Sequence, residues 1–429
     1  MPSMAKTFRE WNPEQSVMFP PTVLDLVEPD ELVHFIRNIV VEQLELGEIL
    51  GQYQEERGYP PMHPVMMTAL LLYSYSQGIY SSRRIARACK QRVDYMALTG
   101  MQKPDFRTIN LFRKRHLKAL GGLFQQVLRL CQKAGLVKLG HVALDGTRIR
   151  ANASKLKSMT YRRMKKAEQE LAAEVEAWFE EAERIDREED ERYGADRRGD
   201  ELPDWVADKQ KRLEKIRQAK AELEAEAREK AAAGPDPNKT GHKPKPTGIP
   251  EEKAQKNFTD PESRIMKSPE GFIQGYNAQA AVDADSQVIV AEFVTNNGSD
   301  THQMVPLLNQ IRENAGRQTR EVSADSAYCA ALNLKRLRQR RIRGYVATTN
   351  QKHKNVSRWV QQMRERLSKG GHRSRYRLRK QTVEPVFGHI KFARGFRQFL
   401  LRGIEKVSGE WSLLCTAHNL LKLAAAKGE

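Results

Sequence analysis

Three acidic residues lie at the ends of short predicted strands or within a predicted helix, and their type suits metal chemistry. Asp145 directly follows the apolar run 142–144, and Asp325 follows a second strand-like segment that begins at Glu321. Glu384 lies in a segment with the pattern of a helix. Carboxylate oxygens are the ligands that Mg²⁺ prefers, and a pair of such ions is held by acids from several elements. The sequence therefore predicts that these three acids meet and hold two Mg²⁺ ions, with Mn²⁺ as an alternative.

The stretches around these acids resemble a known family. They are Asp145-Gly-Thr-Arg-Ile-Arg-Ala-Asn-Ala-Ser154, Ala324-Asp-Ser-Ala-Tyr328 and Val383-Glu-Pro-Val-Phe-Gly-His-Ile-Lys391. They are similar to the segments around the three catalytic acids of the DDE transposases of bacterial insertion sequences, in the IS4/IS5 group and closest to the IS1182 family. The resemblance implies an enzyme that cuts DNA at the ends of its element and joins those ends to target DNA. In that reaction Asp145 would bridge both ions, while Asp325 and Glu384 would each hold one.

Related transposases carry a Tyr, Arg, Glu, Lys signature around the third acid. Glu384 and Lys391 match its spacing, whereas Lys380 holds the arginine position with Arg379 beside it. Tyr376 is one residue out of register. The resemblance implies that Lys391 reaches a phosphate beside the site.

The chain is strongly basic, with 73 Lys and Arg against 54 Asp and Glu, a formal net charge of +19 and a pI near 9.7. Such a charge predicts a polyanionic partner. The segment 352–380 is almost purely basic, with Glu365 as its only acid. Because phosphate contact needs only charge, we predict that this segment lies along a nucleic-acid backbone. The residues predicted to contact DNA in and after it are Arg373, Arg375, Tyr376, Arg377, Arg379, Lys380 and Lys391.

The first third of the chain, residues 1–135, is predicted to be all-helical, with helical periodicity from Thr22 onward after a loose arm at 1–20. Two successive short helices there carry basic residues and could form a helix-turn-helix-like reader of duplex DNA. The alternative is a helical bundle with a solvated basic face. The basic residues expected to be exposed are Arg83, Arg84, Arg87, Arg113, Lys114 and Arg115.

The remaining elements run strand, long insertion, two strands, helix, strand, helix, strand, helix. This order fits an α/β fold with the mixed sheet of an RNase H-like core, which the resemblance also implies. We predict this catalytic core at 136–155 and 257–429. The insertion at 156–256 is predicted to be a charged antiparallel helical hairpin followed by a Pro/Lys-rich linker. A solvated charged arm without a specific role is the alternative for it.

Several further expectations follow from the same sequence. No apolar run is long enough to span a bilayer, and the four cysteines form no pair typical of a zinc site, so we expect a cytoplasmic, nucleoid-associated protein. The resemblance implies double-stranded DNA as partner, both the terminal inverted repeats of the element and the target, bound by a dimer. Asp283, Asp285 and Asp300 are interpreted as turn and cap residues.

Two other functions stay open at this point. One is a DNA-binding protein that has lost catalysis, such as a domesticated transposase. The other is an RNase H-like nuclease that only hydrolyses its substrate and joins no ends.

Overall fold

The structure is a computed structural model that describes residues 22–53, 60–193, 204–234, 247–269, 271–348, 357–370 and 375–427. The predicted DNA contact Arg373 and most of the predicted Pro/Lys-rich linker lie outside these residues.

The N-terminal third is helical, as its periodicity predicts. After a 3-10 turn at Val23–Leu26 the helices are α1 (Leu32–Asn38, continued by a π-helical turn at Ile39–Gln43), α2 (Gly47–Leu50), α3 (Pro64–Ser76), α4 (Ser82–Gln91), α5 (Val93–Thr99), α6 (Phe106–Arg115) and α7 (Leu117–Lys133). Helix α3 is buried over nearly its whole length because its residues are apolar on every side. The Asp105 carboxylate accepts the backbone N–H of Arg107 and so fixes the start of α6.

The strands form a mixed sheet and a small separate ribbon. They are β1 (His141–Arg150), β2 (Ser158–Thr160), β3 (Gln255–Asn257), β4 (Arg264–Ser268), β5 (Gly271–Asp283), β6 (Ile289–Thr295), β7 (Glu321–Ala324) and β8 (Arg343–Val346). The sheet order is β4-β5-β1-β7-β8, and β6 pairs with β5 beyond the end of β4. Strand β1 is antiparallel to β5 and parallel to β7, and β7 is parallel to β8. The chain is therefore a mixed α/β protein with abundant helix.

Helices follow the later strands and close the fold. They are α10 (Met304–Ala315), α11 (Ala331–Gln339), α12 (Arg358–Gly370), α13 (Leu378–Gly388, continued by a π-helical turn at His389–Ala393) and α14 (Ile404–Ala425). Helix α14 lies between the sheet and the N-terminal helices. Its Trp411 indole donates to the carbonyl of Gln279 in β5, and a Cβ at Gly409 would lie 2.5 Å from Leu117 of α7. The buried apolar residues of the N-terminal helices, the sheet and α14 consequently form one continuous core.

Arg113 takes part in that core, so its predicted exposure is wrong. Its side chain is 3% exposed and donates to the Tyr75 hydroxyl at 3.1 Å and to the Tyr80 carbonyl at 3.0 Å. The same Tyr75 hydroxyl donates to buried Glu410 of α14. Arg113 lies on the inner face of α6, where the Tyr75 hydroxyl links it to Glu410, whereas Lys114 on the outer face is exposed.

The charged insertion forms an antiparallel pair of helices, α8 (Tyr161–Tyr193) and α9 (Asp204–Ala232). Ion pairs join them, including Lys209 with Glu174 and Lys220 with Glu168, both at 2.6 Å. The pair has a small apolar cluster of its own, separate from the main core. It lies between β2 and β3, and the backbone N–H of Tyr161 donates to the carbonyl of Ala254 at 2.7 Å. The described part of the insertion therefore contains two charged, antiparallel helices.

Candidate active site

Two of the predicted acids lie side by side because their strands are neighbours. In the parallel pairing of β1 and β7, Leu144 is opposite Ala324. Asp145 and Asp325 are the next residue on each chain, so they lie at the same level of adjacent strands, which are about 5 Å apart in any sheet. The fold thus brings together two carboxyl groups that are far apart in sequence.

A short turn fixes the direction of Asp325. Strand β7 ends at Ala324, and Asp325 caps the 3-10 turn Ser326–Tyr328. Its Oδ1 atom accepts the backbone N–H of Ala327 at 2.9 Å. One lone-pair direction of this carboxylate is therefore used locally, and the rest of the group remains available for a ligand.

The third acid, Glu384, lies on α13 and is joined to Asp145 through Arg379 of the same helix. The Arg379 Nη1 atom donates to Asp145 Oδ2 at 2.7 Å, and Nη2 donates to Glu384 Oε1 at 3.2 Å. Within the described ranges, no three His, Cys, Asp or Glu side chains are arranged as a ready metal site. Instead, the guanidinium of Arg379, which the sequence predicts as a DNA contact, supplies positive charge between two of the acids.

The electrostatics of the two strand acids favour a cation. Burial raises the pKa of Asp145 to about 6; Arg379 opposes this increase, while the nearby carboxylates of Asp325 and Asp300 add to it. Burial also raises the pKa of Asp325, against the effect of its hydrogen bond from Ala327. A divalent cation would stabilise both charged forms. The donor set is entirely carboxylate oxygen, and a guanidinium already takes the place of a cation there, so these residues fit Mg²⁺ or Mn²⁺.

Lys391 lies beside this site, as its spacing from Glu384 predicts. The π-helical turn after α13 directs its Nζ atom to Thr147 Oγ1 at 3.0 Å and to the carbonyl of Arg148 at 3.2 Å. Thr147 is two residues beyond Asp145 in β1 and hence on the same face of the sheet. An ammonium group therefore lies next to the acids.

The other predicted DNA contacts within the described residues are mostly exposed. Arg375 pairs with Glu321 at 2.5 Å, and half-buried Tyr376 hydrogen-bonds Arg379. Those with an exposed side chain are Arg83, Arg84, Lys114, Arg375, Arg377 and Lys380. Their contact with DNA stays a prediction.

The interpretation of Asp300 as a helix cap is wrong. Helix α10 begins at Met304 after Gln303. The Asp300 carboxylate instead accepts side-chain N–H groups of Asn277 and Gln279, both at 2.7 Å, and of Arg148 at 2.9 Å. A signal was present in the sequence: polar residues recur at positions 277 and 279 between apolar residues of β5, which indicates buried hydrogen-bond partners.

Comparison with known protein families finds two matches. Residues 241–420 match the transposase DDE domain, and residues 21–115 match the transposase domain DUF772. No curated protein and no solved structure matches the chain. Asp325 and Glu384 lie within the first matched range, and Asp145 precedes it.

These two domains together are the signature of one group, and the chain belongs to the DDE transposases of insertion sequences, in the IS1182 family. Its function is therefore that of a transposase, and the family implies DNA binding, DNA cleavage and strand transfer. Members generally use divalent metal ions. Among the described residues, no helix is both long and apolar enough to cross a membrane.

Proposed function

We propose that this transposase performs metal-dependent cleavage at the ends of its insertion sequence and transfers the freed ends into target DNA. The observation that carries the proposal is the placement of Asp145 and Asp325 on adjacent parallel strands, with Glu384 tied to Asp145 through Arg379. The strand order β6-β5-β1-β7-β8, antiparallel on one side of β1 and parallel on the other, supports an RNase H-like catalytic core.

In this proposal Asp145, Asp325 and Glu384 hold two divalent ions. Such a pair of ions activates the attacking oxygen and stabilises the leaving oxygen in phosphodiester chemistry. The protein contributes the rigid strand ends that fix the acids, and Lys391 contributes a positive charge for a phosphate next to them.

Arg379 occupies one oxygen of Asp145 and one oxygen of Glu384, and its positive charge there opposes the binding of a metal ion. Its Nε atom is buried and has no hydrogen-bond partner among the described residues, so the guanidinium is only partly satisfied in its present position. A DNA phosphate offers two acceptors in the geometry that guanidinium prefers. We propose that Arg379 exchanges its carboxylate partners for DNA when the complex forms.

The DNA partner is proposed to be duplex, comprising the terminal inverted repeats and the target, with a dimer on paired ends. The exposed basic residues of α4 and α6 lie on the N-terminal unit that we assign to 1–135. Arg379 of α13 contacts two of the acids, and Arg375 lies beside the start of β7, paired with Glu321. The proposed boundaries of the catalytic core remain 136–155 and 257–429, around the insertion 156–256.

The test uses a plasmid that carries the DNA flanking the reading frame on both sides. With purified protein and Mg²⁺, we expect cut ends and joined products, and neither with a chelator. Asp145→Asn, Asp325→Asn and Glu384→Gln should each lower cleavage by more than about 100-fold, since loss of groups that merely support metal ligands costs 10–100-fold. Binding to the ends should persist in a gel-shift assay.

Asp285→Asn is the matched control, because Asp285 is an exposed turn acid away from this edge of β1. Full cleavage by any one of the three variants would remove that residue from the site. Cut ends without joined products would favour a nuclease, and binding without cleavage by the unaltered chain would favour an inactive DNA-binding protein.

A further inference from the structure

A buried polar cluster lies behind the acids, on the opposite face of β1. We call it the Asp300 cluster; its members are Arg148, Asn277, Gln279, Asp300 and Tyr328. Asp300 Oδ1 accepts two side-chain amide N–H groups, and Oδ2 accepts one N–H of the guanidinium. Gln279 Nε2 also donates to Asn277 Oδ1 at 3.0 Å. The amides and the carboxylate are fully buried or nearly so.

The cluster touches β1 at the residue next to Asp145. A Cβ atom added to Gly146 would lie 2.3 Å from Gln279 Nε2 and 2.7 Å from Asp300 Oδ1. Only a glycine permits this close approach. The Asp300 cluster therefore fixes the backbone position of β1 at Gly146, next to Asp145.

The same cluster is joined to the turn that carries Asp325. The Tyr328 hydroxyl, at the end of that turn, donates to Gln279 Oε1. A second connection starts from the residue after Asp300: Thr301 Oγ1 donates to the Ala327 carbonyl at 3.2 Å. Asn333 Nδ2 joins the two segments by donating to the carbonyls of Thr301 and Tyr328.

We propose that Asp300 is a positioning residue for the catalytic site: through Gly146 and through Gln279 and Tyr328 it sets the relative placement of Asp145 and Asp325. This inference rests on the proposed metal-dependent function. A carboxylate is required because both of its oxygens face donors. An asparagine would direct its own N–H group either at Arg148 or at the two amide groups, leaving buried donors without acceptors.

The experiment measures Mn²⁺ affinity of the purified full chain without DNA, from the free-ion signal in electron paramagnetic resonance. Asp300→Asn should weaken Mn²⁺ binding by about 10–100-fold, the range for groups that hold metal ligands in place. Tyr328→Phe removes only the hydroxyl that connects Gln279 to the turn, and we expect a loss in the same direction. The double variant should bind about as weakly as Asp300→Asn alone, because both changes interrupt one connection.

Asp285→Asn serves as control, since it removes one acidic charge at an exposed position and should leave Mn²⁺ affinity unchanged. Thermal unfolding shows which variants are folded at the assay temperature; a purely structural role for Asp300 would lower the unfolding temperature without changing the affinity of folded protein. If Asp300→Asn does not fold, Tyr328→Phe decides the matter. Unchanged affinity in the folded variants would overturn the positioning role. Absence of Mn²⁺ binding both by the unaltered chain and by Arg379→Ala, which lacks the competing guanidinium, would instead overturn the proposed metal-dependent function.

Discussion

The residues of the candidate site differ in how clearly the sequence alone points to them. The sequence alone indicates Asp145, Asp325 and Glu384 as candidates. The first two end short strand-like segments, and Glu384 has a characteristic spacing from Lys391 in a predicted helix. Asp300 could not, since its role depends on which side chains of β5 lie opposite Gly146. Arg379 was visible as a basic residue, but its pairing with two acids depends on how α13 crosses β1.

Arg379 competes with metal for the same carboxylates. Arg379→Ala should therefore bind Mn²⁺ more tightly in the absence of DNA, by at least about 10-fold, because loss of even one hydrogen bond between charged groups, about 1.5 kcal/mol, corresponds to roughly a factor of ten. The Mn²⁺ titration is carried out at pH 8 so that the Asp145 carboxyl group is ionised. Loss of the Arg379 guanidinium raises the pKa of Asp145 further above its present value of about 6.

Arg379→Lys is the control for charge, since an ammonium cannot bridge two carboxylates in the manner of a guanidinium. It should give an intermediate affinity. Weaker Mn²⁺ binding by Arg379→Ala than by the unaltered chain would show that the arginine supports the site instead of blocking it.

At the level of elements, the interfaces around α14 contain acids that no periodicity reveals. Hydrophobic spacing predicts that α14 packs in the core, and it does so on both the sheet and the N-terminal helices. It does not predict that Glu410 is buried near Arg113, or that Ser412 donates to buried Glu292 of β6 at 2.6 Å. Such positions depend on pairs of elements that meet only in the folded chain.

Glu292 should make stability depend on pH. Burial raises its pKa to about 7 from an ordinary value of 4.5, so the folded state prefers the protonated acid. The associated stability is fully present below pH 4.5 and is lost as pH rises through about 7. Glu292→Gln should remove this loss, which is on the order of 3 kcal/mol at pH 8.

Chemical denaturation at a series of pH values measures the difference. The free energy of unfolding of Glu292→Gln should exceed that of the unaltered chain at pH 8 and approach it near pH 4.5. Glu405→Gln, at the exposed start of α14, is the control. Equal pH profiles for the Glu292→Gln variant and the unaltered chain would mean that Glu292 is ionised in the folded protein at little cost.

At the scale of the whole molecule, one core joins the N-terminal helices to the sheet, and the helical hairpin α8–α9 stands apart from it. Charge and helical spacing predicted the hairpin, and its own apolar cluster explains why it forms without help from the main core. The sequence could not show how tightly the N-terminal helices and the sheet share a core, because α14 forms that connection from the far end of the chain.

Removal of the hairpin should leave the rest folded. We expect a chain in which residues 162–253 are replaced by a short Gly-Ser linker to keep a cooperative unfolding transition, with a free energy of unfolding within about 1–2 kcal/mol of the original. The main loss is the pairing of Lys256 with Glu222 and Glu226 of α9. Denaturant unfolding followed by circular dichroism measures this, and loss of a cooperative transition would show that the hairpin is part of the folding unit.

The hydrogen bond between Tyr161 and Ala254 has a consequence for how relatives of this protein are compared. Two positions that are neighbours in space are separated in sequence by the entire hairpin, and the matched DDE range starts only at residue 241. A homologue with a tight loop in place of the hairpin would carry the counterparts of Asp145 and of the strands that follow the hairpin in one uninterrupted stretch of sequence. Alignments that join 160 directly to 255 should therefore extend the matched range to β1 and include Asp145, the proposed first acid of the site.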